Sequence, residues 1–312
     1  MSDAFRNYKE ESNVERTYQK ILENQTLEYS LTMKNKFLNS HFKIFNIWEV
    51  IKFLEEIVDE SDPDNHLPQI VHFYQTAEEI KKIFYENYEQ NNKQLKNKDI
   101  KDIFSKREWD NLPQNIKQLY SGNLHSFYKI TDWSWLPIIG FIHDMGKIMM
   151  HPLFGGLPQW GVVGDTFPLG EKLDSNYPYF DKGYHLNNFS LTQRNYYENN
   201  CGFEGVHFSW SHDEYMASFL ERNNILFPQE AIYLIRYHSF YSWHSPKNGV
   251  RGYQHLANEF DWKMLPLLKL FQKADLYSKD EGKLDIDTLL IQTRKKYFPL
   301  LEEFFRGEYL FW

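Results

Sequence analysis

The sequence predicts an all-α protein, and two observations carry this prediction. Apolar residues recur at helical spacing over most of the chain, and strand-like alternation is weak. Hydrophobic residues make up 42% of the 312 residues and aromatic residues 18%, which is enough apolar material for one large core. No linker rich in Gly, Ser or Pro divides the chain. We therefore expect a single domain over residues 1–312, with at most a short hairpin among the helices.

Helices are predicted in order by apolar spacing and by residues typical of helix starts. They cover residues 12–30, 47–58, a segment opened by Pro68 that runs to residue 84, 135–150, 212–223, 228–239 and 264–277. The segment 135–150 is almost entirely apolar, which predicts a central helix. The segment from about residue 86 to 131 is rich in Asn and Lys and looks like an insertion with helical pieces. Residues 151–205 contain many of the glycines and prolines, which indicates long loops.

Charge and cysteine content exclude several classes of function. The net charge of −8 argues against nucleic acid as a partner. The single cysteine, Cys201, allows no disulfide within the chain and fits a reducing compartment. No apolar run approaches the roughly 20 residues that span a bilayer, and the first residues lack an apolar signal core. We therefore expect a cytoplasmic protein with neither a nucleic-acid nor a membrane partner.

The strongest candidate for a functional site is the pair His143 and Asp144, within the apolar stretch LPIIGFIHDMGK that also carries Lys147. A helical period places Ile139, His143 and Lys147 on one stripe, with Asp144 beside it. Burying these polar groups singly among apolar residues is costly, and a metal ion bound by a neutral His and an ionised Asp removes that cost. For the dipeptide alone, a hydrogen-bonded His–Asp pair with an exposed Lys remains an alternative.

Asp275 is the most informative of the other candidate carboxylates. It continues an apolar stripe formed by Leu268 and Phe271, so a helix would direct it to the core. A buried Asp is rare without a partner. The alternative to a metal is a salt bridge to Arg251 or to a neighbouring lysine.

Three histidines occupy helices in positions that can face the core. His72 lies within the helix that follows Pro68, His212 begins a helix, and His238 ends one. Each has a plain alternative as a core or capping histidine, and Asp213 and Glu214 after His212 suit the helix macrodipole. The other histidines lie mostly in loops and are interpreted as surface or locally hydrogen-bonded residues: His41, His66, His125, His151, His185, His207, His244 and His255.

Four imidazoles and two carboxylates on separate helices suit iron, manganese or zinc. One ion would leave ligands over, whereas a dinuclear site bridged by Asp144 uses all six and keeps open positions for substrate and oxygen. The sequence therefore predicts a buried dinuclear metal site with the ligands His72, His143, Asp144, His212, His238 and Asp275. Spacing alone does not choose the element.

These motifs, in this order, resemble the myo-inositol oxygenase family of the HD-domain superfamily. The similar stretches are DESDPD (59–64), HFYQTAEEI (72–80), IHDMGK (142–147), PQWGVVGDTFPLG (158–170), SWSHDEY (209–215), IRYHSFYSWH (235–244) and KADLYSK (273–279). FRNY (5–8) resembles the family's N-terminal segment. The resemblance spans nearly the whole chain and departs at about 86–131 and slightly at 151–157, where this chain looks expanded.

The resemblance implies an HD-domain-like helical bundle with long loops and a helical or loop insertion. It also implies two iron ions in a mixed-valent Fe(II)/Fe(III) pair, with O2 as co-substrate. One iron would be held by His72, His143 and Asp275, and the other by His212 and His238, with Asp144 bridging. We expect a monomer that needs no flavin or nicotinamide, since the sequence has no G-x-G-x-x-G fingerprint.

The implied reaction is cleavage of the myo-inositol ring with O2 to give D-glucuronate. Lys147 would contact the hydroxyl at the reacting carbon and assist its deprotonation. The substrate-binding residues implied by the resemblance are Arg6, Asp59, Glu60, Ser61, Lys147, Gly164, Asp165, His238 and Ser239. A cyclohexane polyol presents a ring of hydroxyls, so its site needs many donors and acceptors. Gly164 would allow close backbone approach to a ligand.

Three alternatives remain open from the sequence. The first is an HD-type phosphohydrolase that acts on a nucleotide or phosphoester through a metal-bound hydroxide. Few basic residues surround the motifs to bind phosphate, although Lys147 and Arg236 are available. The second is a related HD-type oxygenase with another substrate. The third is a metal-binding sensor or scaffold without turnover.

Overall fold

The computed structural model is helical, which confirms the predicted fold class. It describes residues 9–10, 12–39, 43–60, 69–84, 99–128, 134–192, 196–277 and 286–312. The α-helices are α1 (Asn13–Asn24), α2 (Leu27–Asn39), α3 (Ile47–Leu54), α4 (Gln69–Phe84), α5 (Lys106–Asp110), α6 (Gln114–Leu119), α7 (Leu124–Tyr128), α8 (Leu136–Ile142), α9 (Phe189–Thr192), α10 (His212–Arg222), α11 (Gln229–Tyr237), α12 (Tyr241–His244), α13 (Glu259–Tyr277) and α14 (Ile286–Phe305). Short 3-10 helices are Ile100–Ile103, Met145–Met150, Pro152–Phe154, Gln159–Gly161, Phe180–Lys182, Tyr184–Asn187 and Phe203–Gly205.

The predicted helix over 12–30 is divided into α1 and α2. Ser12 caps α1 by accepting a hydrogen bond from the N–H of Glu15. The break falls at Gln25, which is buried and exchanges two hydrogen bonds with the main chain of Trp210. A helix continuing through Gln25 would not present its amide in this way, so a tertiary contact overrides the local period.

The prediction of a central helix over residues 135–150 was wrong for the second half of that segment. The α-helix ends at Ile142, His143 is its C-cap, and a 3-10 helix runs over Met145–Met150. Successive residues of an α-helix point about 100° apart. Because the chain leaves the α-helix here, His143 and Asp144 can face the same centre.

The two strands do not form the local hairpin that the sequence left open. β1 (Ile44–Phe45) pairs antiparallel with β2 (Leu310–Phe311), so the pairing joins distant parts of the chain. Trp312, which follows β2, is buried against Phe219 with ring centroids 4.0 Å apart. This contact closes the C-terminal segment onto α10.

The centre of the fold consists of α4, α8, α10, α11 and α13. Helix α4 packs against α8 and α13, and α10 packs against α11 and the Met145–Met150 segment. Helix α13 begins earlier than predicted, at Glu259, and α14 was not predicted. In the described residues, no helix has both the length and the apolarity to cross a membrane.

Part of the polar region predicted as an insertion is attached to this core by polar contacts. Glu108 lies 2.8 Å from Arg251 and 2.6 Å from Lys269. The hydroxyl of Tyr120 donates to the carbonyl of Trp262 at 2.5 Å. Residues 99–128 are therefore anchored to α13 and to the loop that precedes it.

Candidate metal centre

The structure brings the six predicted metal ligands together at the centre of the molecule. His72 projects from α4, His143 and Asp144 lie where α8 ends, and Asp275 lies in the last turn of α13. His212 is the first residue of α10, and His238 is the C-cap of α11. Every one of these side chains is buried, with residue exposures of 0 to 7%.

Asp144 divides the cluster into two halves. Its Oδ2 lies 3.2 Å from His72 Nε2 and 3.6 Å from His143 Nε2. Its Oδ1 lies 3.1 Å from His212 Nε2 and 3.3 Å from His238 Nε2. Asp275 belongs to the first half, because its Oδ1 is 3.0 Å from His72 Nε2. Two groups able to hold an ion therefore share one carboxylate.

Backbone carbonyls set the orientation of three of the imidazoles. Nδ1 of His143, His212 and His238 lies 2.8 Å from a carbonyl oxygen, in Gly140, Val162 and Ile235 respectively. The Nδ1–H donates in each case, which leaves the Nε2 lone pair directed into the cluster. Nε2 of His143 is buried without a hydrogen-bond partner in the described part of the chain. Such an arrangement fits coordination of a metal.

The charges of the cluster also fit cations. Four carboxylates lie in or beside the cluster. Asp59 and Asp144 contact the ammonium of Lys147, whereas Asp213 contacts His212 and Asp275 contacts His72. With Lys147 counted, these groups carry an excess of three negative charges before the histidines are counted. Burial of such an excess without counter-ions is strongly unfavourable. Two divalent ions would supply four positive charges, which is enough to offset it.

Without metal, protons on the imidazoles compensate the carboxylates. Burial lowers the pKa of His72, but hydrogen bonds to Asp144 and Asp275 outweigh it and raise the pKa to about 9. Burial also lowers the pKa of His212, but the Asp213 and Asp144 carboxylates outweigh burial and raise the pKa to about 10. At His143 burial prevails and lowers the pKa. Metal ions would therefore displace protons from this site.

Lys147 lies between the cluster and the predicted substrate-binding loop. Its Nζ is 2.9 Å from Asp144 Oδ2 and 2.8 Å from Asp59 Oδ2, and its side chain is buried. Burial lowers the pKa of Lys147, but the two carboxylates outweigh burial and raise it above its ordinary value. In the metal-free protein Lys147 is therefore an ammonium.

The Asp59 segment is held in place by Gln159. The N–H of Glu60 donates to Gln159 Oε1 at 3.2 Å, and Gln159 Nε2 donates to the carbonyl of Val58 at 2.6 Å. The Glu60 side chain is exposed. Two other predicted substrate contacts, Arg6 and Ser61, lie outside the described residues.

Gly164, Asp165 and Ser239 are linked to the cluster through the backbone and through Asp213. Asp165 accepts a hydrogen bond from the hydroxyl of Tyr18 at 2.7 Å. The next residue, Thr166, donates its N–H to the carbonyl of Ser239 at 3.0 Å. Gly164 has φ of +95°, and a Cβ there would lie 2.5 Å from Ile21 Cδ1. The positive φ therefore already favours glycine here, because the Ile21 side chain could move aside whereas the backbone conformation would remain strained for another residue. The predicted approach of Gly164 to a ligand remains a prediction.

Comparison with known proteins identifies the family. The profile of the family described as myo-inositol oxygenase matches residues 11–97 and 98–312. The chain belongs to this family. Among curated relatives, an inositol oxygenase of Dictyostelium discoideum is 34% identical over 98% of this chain and 89% of its own length. An inositol oxygenase of Mus musculus is 31% identical over 98% of this chain and 90% of its own length. A probable inositol oxygenase of Oryza sativa is 34% identical, covering 97% and 83%.

The structure excludes Arg251 as the salt-bridge partner of Asp275 and changes the interpretation of His244. Arg251, considered as a salt-bridge partner of Asp275, pairs with Glu108 at 2.8 Å. His244, grouped with the surface or locally bonded histidines, is fully buried, and its Nε2 lies 2.8 Å from the carbonyl of His238. His244 therefore supports the chain beside a predicted ligand.

One residue of the cluster was missed from the sequence. Asp213 is buried, and its Oδ1 lies 2.8 Å from His212 Nε2. The sequence interpretation gave it only a role in the helix macrodipole. A signal was available, because SWSHDEY repeats the His–Asp dipeptide of IHDMGK.

Proposed function

We propose that this chain is an inositol oxygenase that cleaves the ring of myo-inositol with O2 to give D-glucuronate and water. The observation that carries the proposal is the division of Asp144 between two His-containing groups, in a chain that matches the family over nearly its full length. One molecule of O2 accepts the four electrons of this oxidation, so no further oxidant is needed.

We assign two iron ions to the cluster, in the mixed-valent Fe(II)/Fe(III) state. His72, His143 and Asp275 would hold one ion, His212 and His238 the other, and Asp144 would bridge them. The pairing of Asp144 Oδ2 with the first group and Oδ1 with the second supports two ion positions. The choice of iron and of its mixed-valent state rests on the family. Bound iron would supply the redox chemistry and the activation of O2.

Lys147 is the residue that we assign to proton transfer. Its ammonium already lies against Asp144 and Asp59, at the edge of the cluster. Cations bound at Asp144 would disfavour the ammonium by like charge and lower the pKa of Lys147. Nζ would then accept the proton of the substrate hydroxyl at the reacting carbon.

The other predicted contacts would orient the polyol. Carboxylates such as Asp59 and Asp165 accept hydrogen bonds from hydroxyls, and Arg6 donates them. Glu60, Ser61, Gly164, His238 and Ser239 complete the predicted set. Since the ligands are 7% exposed or less, water would be largely excluded during turnover.

The direct test is O2 uptake by iron-loaded, partly oxidised protein supplied with myo-inositol. We expect one D-glucuronate for each O2 consumed, and an electron paramagnetic resonance (EPR) signal from a coupled iron pair. Absence of uptake, together with hydrolysis of nucleoside monophosphates, would overturn the proposal.

Two variants sharpen that test. Lys147→Gln removes the group that exchanges the proton, so turnover should fall by about 100-fold or more while the iron content stays unchanged. Lys182→Gln is the matched control, because Lys182 pairs with Glu10 at the surface. Arg6→Ala should raise KM for inositol, and an unchanged KM would remove Arg6 from the substrate site.

The phosphohydrolase alternative is less well supported by the contacts. Arg236, the arginine considered for phosphate binding, donates to Glu214 at 2.9 Å and to Glu221 at 2.8 Å. Recruiting it for a phosphate would break two ion pairs.

We also propose that residues 1–312 form one domain with an insertion at about 86–131, and that the protein is a cytoplasmic monomer. The contacts of Glu108 with Arg251 and Lys269 support a single folded unit. Light scattering coupled to gel filtration measures the mass in solution, and a mass of twice 37.8 kDa would contradict the monomer.

A further inference from the structure

Asp213 occupies an unusual place for an acidic residue in the first turn of a helix. Such residues are ordinarily solvated, where they favour the positive end of the macrodipole. Asp213 is instead fully buried, and its Oδ1 lies 2.8 Å from His212 Nε2 and 3.6 Å from His238 Nε2. It faces the two nitrogens that the proposed function assigns to the second ion.

Ser239 donates two hydrogen bonds to this carboxylate. Its N–H donates to Asp213 Oδ2 at 3.2 Å, and its hydroxyl donates to Asp213 Oδ1 at 3.1 Å. Asp213 follows one predicted ligand in the chain, and Ser239 follows the other. The contact therefore joins the start of α10 to the end of α11, the two elements that carry the ligands of one half of the cluster.

We propose that Asp213 is a positioning residue for the second metal position. Through its contacts with His212 and Ser239, it holds His212 and His238 at the separation that an ion requires. It also supplies a negative charge in addition to that of the bridging Asp144. The Nε2 atoms of the two histidines are 3.3 Å apart. Nitrogen ligands at about 2.0–2.1 Å from one ion have roughly that separation. The inference rests on the dinuclear site of the proposed function.

Glu214 provides a matched comparison. It lies one residue further along the same first turn, so it interacts with the same macrodipole. Its carboxylate, however, pairs with Lys34 at 2.8 Å and Arg236 at 2.9 Å. A role of Asp213 in the helix alone would give both acids the same effect, whereas a role at the metal belongs to Asp213 only.

The experiment measures metal binding by calorimetry with Mn(II), and the coupled EPR signal after iron loading, for wild type, Asp213→Asn and Glu214→Gln. Asp213→Asn preserves the size of the side chain and removes its charge. We expect its second ion to bind 10- to 100-fold more weakly, the range for residues that orient metal ligands, with the first ion unchanged. Glu214→Gln should bind both ions as wild type does. Circular dichroism reports whether each variant is folded.

Wild-type affinity for both ions in Asp213→Asn, or an equal loss in Glu214→Gln, would overturn the inference. If Asp213→Asn does not fold, Ser239→Ala decides, because it removes the hydroxyl that holds the carboxylate; unchanged second-ion affinity then overturns it. A wild-type protein that binds one ion refutes this inference and the dinuclear assignment together. A wild type that binds two ions but consumes no O2 with inositol refutes the proposed reaction alone, and the Asp213 comparison still stands.

Discussion

Replacing Gly146 by alanine should separate the two halves of the His–Asp cluster. Gly146 lies in IHDMGK, where the chain after Asp144 meets the start of α10. A Cβ at this position would lie 2.1 Å from the carbonyl oxygen of His212, whereas real Cβ atoms essentially never approach closer than 3.0 Å. The obstacle is backbone, so no side-chain rotation relieves it. The two segments must part by at least 0.9 Å.

That displacement is large compared with the site. Asp144 Oδ1 is 3.1 Å from His212 Nε2, and the opening would take the separation to about 4 Å. Neighbouring ligands at about 2.0–2.2 Å from one ion lie roughly 3.0–3.5 Å apart, so His212 and Asp144 would no longer share an ion in the same geometry. We expect second-ion affinity to fall at least 10-fold. Overpacking should also lower the free energy of unfolding by about 1–3 kcal/mol.

Calorimetric titration with Mn(II) and thermal unfolding measure the two effects. Gly205→Ala is the matched control, because a Cβ there would meet only Cys201 Cβ, at 3.9 Å. This control should bind two ions with unchanged affinity. If Gly146→Ala unfolds at the wild-type temperature and retains both ions, the close contact between these segments does not control the site.

Three further predictions concern the bridge, the metal and the buried ion pair. Asp144→Asn should lose the coupled EPR signal and lower O2 uptake at least 100-fold, and retention of both would refute the bridging role. Saturating Mn(II) at about 100 times its Kd should stabilise the apoprotein by about 2.7 kcal/mol for each ion bound and raise Tm by roughly 4 °C for each; an unchanged Tm would contradict a preformed site. Burial raises the pKa of Glu108, but Lys269 and Arg251 outweigh burial and lower it from 4.5 to about 2. Because the folded-state pKa is the lower one, this stabilisation of up to about 3 kcal/mol is present above pH 4.5 and lost as the pH falls towards 2. Glu108→Gln should remove that acid dependence from urea unfolding curves, and a curve like that of wild type would exclude the pair as its source.

Much of the site was predictable because its residues interrupt apolar patterns. His143 and Asp275 each interrupt an apolar stretch, and the structure brings both of them together with His72. Burial of a polar group without compensation is costly, so a polar residue on a core stripe indicates a partner. Their roles as iron ligands remain predictions.

Other features depend on contacts that a local pattern does not contain. The apolar run after Trp135 favours a continuous helix, but it ends at Ile142 so that two successive residues can face one centre. The pairing of Ile44 with Phe311 joins residues far apart in sequence. Asp213 was missed for a related reason: an acid in the first turn of a helix is common, so the repeated His–Asp dipeptide did not stand out until the tertiary structure showed that Asp213 is buried.

The hydrogen bonds from the histidine rings to backbone carbonyls affect which substitutions the sequence can accept around the site. The acceptors for His212 and His238 belong to the main chain of Val162 and Ile235, so a substitution that leaves the backbone in place keeps both hydrogen bonds. Both side chains are buried in the core, and apolar residues of similar size meet that condition. An exchange between such apolar residues therefore leaves the tautomer of either ring unaltered.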